Sequence, residues 1–115
     1  MRTNVIQTKT YQFALTIVGL HQVLQQKKEF VISKQALQSA TSVGANVEEA
    51  LAAQSRKDFI SKMTIALKEA RETRYWLRLI EDSHMLDEDL TILLMQIEEI
   101  IKILASIIIT TKDNL

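Results

Sequence analysis

Apolar residues recur at three- and four-residue steps along almost the whole chain. Phe13, Ile17, Leu20 and Leu24 follow that rhythm, as do Leu37, Ala40, Gly44, Val47 and Leu51. Phe59, Met63, Ala66, Ala70, Thr73, Leu77 and Ile80 form one unbroken seam, and Leu90, Leu93, Ile97, Ile100, Leu104 and Ile107 form another. This period belongs to α-helices that bury one face. It predicts helices over about 9–27, 33–54, 56–83 and 88–111.

The boundaries carry local signals. Ser33 is placed to cap the second helix, and Ser55 followed by Asp58 reads as a capping box with Asp in the usual Glu/Gln position. Asp87, Glu88 and Asp89 put negative charge where the last helix begins, the end at which the helix dipole favours it. Proline is absent and glycine occurs only at Gly19 and Gly44, so strand-and-turn architectures are disfavoured. Short connections make neighbouring helices antiparallel. The expected fold is all-α: an antiparallel up-and-down four-helix bundle spanning 1–115 as a single domain.

Two helices carry more than one bundle core needs. The last helix adds Leu94, Ile101 and Ile108 beside its seam, together with Ile92, Ile103 and Ile109. The second is rich in small residues, among them Ala36, Ser39, Ala40, Ser42, Gly44, Ala45, Ala50, Ala52 and Ala53. Extra apolar surface on one helix and a face that permits close approach on another point to self-association. Leu94, Ile101 and Ile108 are the candidate oligomer interface.

Composition narrows the setting. The chain has 115 residues and no cysteine, so disulfides and thiolate metal sites are excluded. The opening residues have no continuous apolar run of the signal-peptide kind. The most apolar stretch, Ile103 to Ile109, falls far short of the roughly 20 residues of a membrane span. The cytoplasm is the expected location, with no membrane contact. Net charge is zero but unevenly spread. Residues 55–78 hold seven Lys/Arg and three acids, whereas residues 79–115 hold two Lys and eight acids. One face can therefore be basic although the sum is neutral.

Candidate chemistry is sparse. Di-iron bundles use Glu-x-x-His on two helices; here only Glu81 and His84 have that spacing, and His21 has no carboxylate three residues before it. Arg78 and His84 have the loose spacing of some small helical RNases, but on a helix their side chains diverge by about 120°. Nucleophile motifs and glycine-rich phosphate loops are missing. Glu48, Glu49, Glu69 and Glu72 have no obvious acid–base partner. No catalytic activity, metal or cofactor is expected, and the rival expectation is a small helical RNase or a metal-dependent bundle enzyme. Asn46, Glu49 and Glu72 are expected to form a structural polar network that holds the second helix against a neighbour. The strongest positive signal is basic. Lys57, Lys68, Arg71 and Arg78 share one side of the third helix away from its seam, with Arg74 nearer the seam. Such a stripe can neutralise phosphates.

Several of these residues belong to a wider pattern. Ser42–Val43 precede Ala45–Asn46–Val47 and Glu49; a Ser55–Lys57–Asp58–Phe59 corner follows; then come Ala66–Lys68–Glu69–Ala70 and Glu72–Thr73–Tyr75–Trp76–Leu77. With Phe13–Ala14 and the apolar last helix, this pattern resembles the four-helix bundle family of bacterial ribosomal RNA intervening sequences. The resemblance covers nearly the whole chain. It implies an up-and-down bundle and ring-like homopentamers; it does not imply a catalytic activity. It also implies kinship with the accessory bundle protein of diversity-generating retroelements, which works with reverse transcriptase and RNA. RNA, or a protein that processes nucleic acid, is therefore an expected partner beside the chain itself. Where the family often has Gly after the helix-two acid this chain has Ala50, which extends the expected second helix to about Gln54.

Overall fold

The structure, a computed structural model, describes residues 2–114. It contains α1 (Arg2–Gln26), α2 (Val31–Leu51), α3 (Arg56–Asp82) and α4 (Thr91–Asp113). No strand occurs among the described residues. Each helix packs on its neighbour in sequence, and α1 and α4 close the bundle along a lighter seam. The result is an up-and-down bundle measuring 48 × 21 × 19 Å.

Each helix end has an identifiable cause. α1 starts well ahead of the expected boundary because its seam extends back through Thr10 to Ile6, both buried. Thr10 Oγ1 donates to the Ile6 carbonyl at 2.8 Å, which lets a hydroxyl stand in an apolar row. α2 begins at Val31, so Ser33 is not its cap. Ser33 is buried in the first turn, with Oγ 2.5 Å from His21 Nδ1 on α1. α2 ends at Leu51, short of Gln54, where Ala52 and Ala53 N–H bond back to the Glu49 and Ala50 carbonyls. That early stop frees the chain for the α2–α3 corner. There Ser55 is extended, and its hydroxyl accepts the Asp58 N–H at 3.0 Å, as expected of a cap.

The last corner differs from expectation. Asp87, Glu88 and Asp89 lie in the connection, ahead of α4. Asp89 Oδ1 accepts the Thr91 N–H at 3.2 Å, while Glu81 on α3 reaches across to accept the Leu90 N–H at 2.7 Å. A carboxylate from the preceding helix therefore caps this one. Lys28 and His84, just past α1 and α3, have left-handed backbones with φ of 63° and 57°. A non-glycine residue there costs about 1 kcal/mol.

The core runs the length of the bundle through Ile17, Leu24, Met63, Leu77, Ile80, Ile97 and Leu104, all essentially inaccessible. α2 packs most extensively on α3. Small buried residues on both helices, Ala36 and Ala40 on α2 and Ala66 and Ala70 on α3, let their backbones approach. Inside that contact Thr73 Oγ1 donates to Ser39 Oγ at 2.9 Å, a buried bond between the two helices.

The last helix corrects the sequence-based account. Ile101 and Ile108 are each only 8 % exposed and belong to the subunit's own core. Leu94 is half-buried and packs against that core. Ile101 and Ile108 therefore do not supply spare apolar surface, and Leu94 does so only in part, beside Ile92 and Met95. A core-facing helix buries a stripe more than about 100° wide, and both isoleucines fall within it. The apolar residues that α4 leaves in water are Ile92, Met95 and Ile109.

Candidate nucleic-acid interface

α3 buries Met63, Ala66, Ala70, Thr73, Leu77 and Ile80 on one side. Helical geometry then fixes the opposite side. Lys57, Lys68, Arg71 and Arg78 fall along it and are all exposed. Tyr75, 55 % exposed, stands in the same line between Arg71 and Arg78. From Lys68 to Arg78 the line is about 15 Å long at the helical rise. None of these four cations has a salt bridge among the described residues. The other α3 cations are engaged. Lys62 Nζ meets Glu49 at 3.2 Å, and Arg56 donates to the Asn114 carbonyl.

Arg74 leaves the stripe. It is half-buried and turned toward α4, where Nη1 donates to Glu98 Oε1 at 2.9 Å. Its partial burial and partner make it a staple between helices. On the other flank of α4, Glu99 pairs with Lys9 of α1 at 2.9 Å. Consecutive glutamates thus reach to opposite neighbours, leaving Ile92 and Met95 open between them.

The expected network of Asn46, Glu49 and Glu72 does not form. Asn46 Nδ2 donates to the carbonyl and hydroxyl of Ser42, one turn back on its own helix. Glu72 Oε1 accepts from Trp76 Nε1 at 3.3 Å, also within one helix. Only Glu49, through Lys62, crosses between helices, and that pair is largely exposed. The bond that crosses the core is Ser39–Thr73, between one of the small residues of the second helix and a seam residue of the third. Thr73 broke an apolar row, and that was the available signal. Partial burial, and then the neighbouring Glu72 carboxylate, hold the Glu69 carboxyl above its ordinary value, with Lys68 pulling the other way.

The enzymatic candidates do not converge. Glu81 is committed to the α4 N-terminus, and His84 is exposed beyond the end of α3. His21 faces Ser33, whose hydroxyl is buried away from any substrate. Among the described residues no three His, Asp or Glu side chains are grouped to hold a metal ion. No described helix is long and apolar enough to cross a membrane. A groove of about 300 Å³ lies between α1 and α4, lined by Lys9, Gln12, Phe13, Gln96 and Glu99, and its charged groups are already paired with each other.

Comparison with known proteins agrees with this architecture. Residues 2–106 match a family described as 23S rRNA-intervening sequence protein. A crystal structure of a protein with unknown function from the S23 ribosomal protein family of Bacteroides thetaiotaomicron is 48 % identical in sequence. The two structures superimpose with a TM-score of 0.89, over 94 % of this chain and 98 % of that one. No curated protein matches the chain.

Proposed function

Because the chain belongs to the 23S rRNA-intervening sequence protein family, we propose that it is a non-enzymatic, self-associating bundle of the cytoplasm that holds nucleic acid on the outer face of α3. The observation that carries this reading is the line of Lys57, Lys68, Arg71 and Arg78, exposed on a rigid helix and without a salt bridge among the described residues. A protein that only needed solubility would gain as much from charges paired along the helix. Unpaired cations on one side instead present several positive groups to one polyanion. Binding then draws its free energy from released counterions and falls steeply with salt.

Self-association rests on separate surface. Ile92, Met95 and Ile109 on α4 and Tyr11, Leu15 and Val18 on α1 are large apolar side chains left in water. A head-to-tail contact between two such unlike faces closes into a ring when the rotation permits. Five subunits is the number implied by the family resemblance. The assembly would present one α3 face per subunit, so weak single contacts would add along one strand.

The test is an anisotropy titration of a labelled RNA oligonucleotide at low and physiological salt. With four phosphates neutralised, log K is expected to fall with log salt at a slope near about −3 for a single strand. Arg71→Glu with Arg78→Glu should weaken binding at low salt by about tenfold or more and flatten that slope. Undetectable binding at low salt, or equal binding by the double variant, would overturn the reading.

A further inference from the structure

Tyr75 is the one aromatic side chain that the basic line of α3 exposes, and its surroundings are specific. Lys68 and Arg71 lie two turns and one turn before it, and Arg78 lies one turn after it, so cations flank the ring on both sides along the helix. The ring is not loose. It meets the Trp76 ring in a T-shaped contact, with centroids 5.1 Å apart and planes at 73°. Trp76 is itself anchored, because it is half-buried, packs against the core and donates its indole N–H to Glu72. A core-anchored tryptophan therefore steadies a tyrosine that leaves more than half of its surface exposed in this subunit.

We infer that Tyr75 is a stacking platform, and that the α3 face selects single-stranded over double-stranded nucleic acid. The inference rests on the reading that this face binds nucleic acid, and it names the form of that ligand. Lys68, Arg71 and Arg78 supply the sequence-blind attraction to phosphates. In a duplex every base face is covered by its neighbours, so a tyrosine projecting from a straight helix has nothing to stack on. A single strand can turn a base outward onto the ring while its flanking phosphates meet the cations one turn away. Self-association does not explain this residue equally well. A protein partner that covered Tyr75 would also bury the cations around it, and the line closes with only one exposed carboxylate, Asp82, to offset them.

The experiment uses the full chain with three labelled probes of the same mixed sequence: single-stranded RNA, single-stranded DNA and an RNA duplex. Both single strands are expected to bind about tenfold or more tightly than the duplex at one salt concentration. Tyr75→Ala should weaken single-strand binding by about ten- to a hundredfold and leave the weak duplex binding unchanged. Tyr75→Phe, which keeps the ring, should bind as the parent does, and helix content by circular dichroism should be the same in all three proteins. Duplex binding as tight as that of the single strands would overturn the inference. So would full single-strand binding by Tyr75→Ala alongside a loss in the Arg71→Glu, Arg78→Glu variant; the basic face would then stand as a purely electrostatic site. If no probe binds at low salt, the inference and the reading beneath it fall together.

Discussion

A chain carrying Ile101→Asp together with Ile108→Asp is expected to lose its cooperative thermal transition and most of its helical signal. Both isoleucines are 8 % exposed and lie on the core side of α4. Removing each forfeits about 1.5–3 kcal/mol of apolar transfer. Placing a carboxylate there adds several kcal/mol more, because the charge loses its water in an apolar core. The sum reaches the roughly 5–15 kcal/mol by which a domain of this size is stable. Ile92→Asp with Ile109→Asp is the informative contrast. Those side chains are 70 % and 60 % exposed, so the fold should survive and only the mass measured by light scattering should drop. A cooperative, wild-type melt from the inner pair would show that α4 faces its neighbours differently.

Leu77→Ala is expected to cost about 4 kcal/mol and Leu104→Ala nearer 2 kcal/mol, within the spread for such truncations. Both leucines are fully buried, so lost transfer energy alone predicts equal costs. The difference lies in what can move afterwards. Leu77 sits on α3, which is held by extensive packing on both α2 and α4. Leu104 sits on α4, whose other neighbour, α1, is packed lightly, so α4 can settle into the space. A cavity that the surroundings can fill costs less. Urea denaturation of the two variants, compared at constant m-value, checks the order. Equal costs, or the reverse order, would count against a looser α1–α4 seam.

How much of this was legible beforehand depended on what each signal measured. The seam of α3, from Met63 to Ile80, is legible because it lies between two neighbours and nearly every third or fourth residue there is apolar. The Ser55 cap was legible because its hydrogen bond is local. The α4 cap was not, since Glu81 acts from nine residues away and its carboxylate reads in the sequence as a surface charge. Ile101 and Ile108 fall outside a narrow seam and inside the broad stripe that the helix buries, so spacing alone does not place them. The basic line was visible from spacing alone. Spacing also places Arg74 nearer the seam, but its pairing depends on Glu98 of another helix and is not legible in the sequence. Tyr75 likewise is separated from a packing aromatic only by its exposure in the fold and its Trp76 contact.

The lighter α1–α4 seam also bears on how long a folded molecule stays folded. Every other helix contact joins segments consecutive in the chain, and the α2–α3 hairpin turns through a short, capped corner. Contacts of that kind form early because little chain entropy opposes them, whereas bringing the first and last helices together closes the longest loop. The seam is then expected to be absent from the folding transition state. Truncating Ile100, which lines the groove beside Phe13, should quicken unfolding and barely slow folding, while truncating Val47 in the α2–α3 contact should slow folding. Stopped-flow measurements in which Ile100→Val slows folding as much as Val47→Ala would refute that order. On this view the native lifetime of the bundle is set at its last-made contact, whereas the rate of reaching it is set at the α2–α3 hairpin.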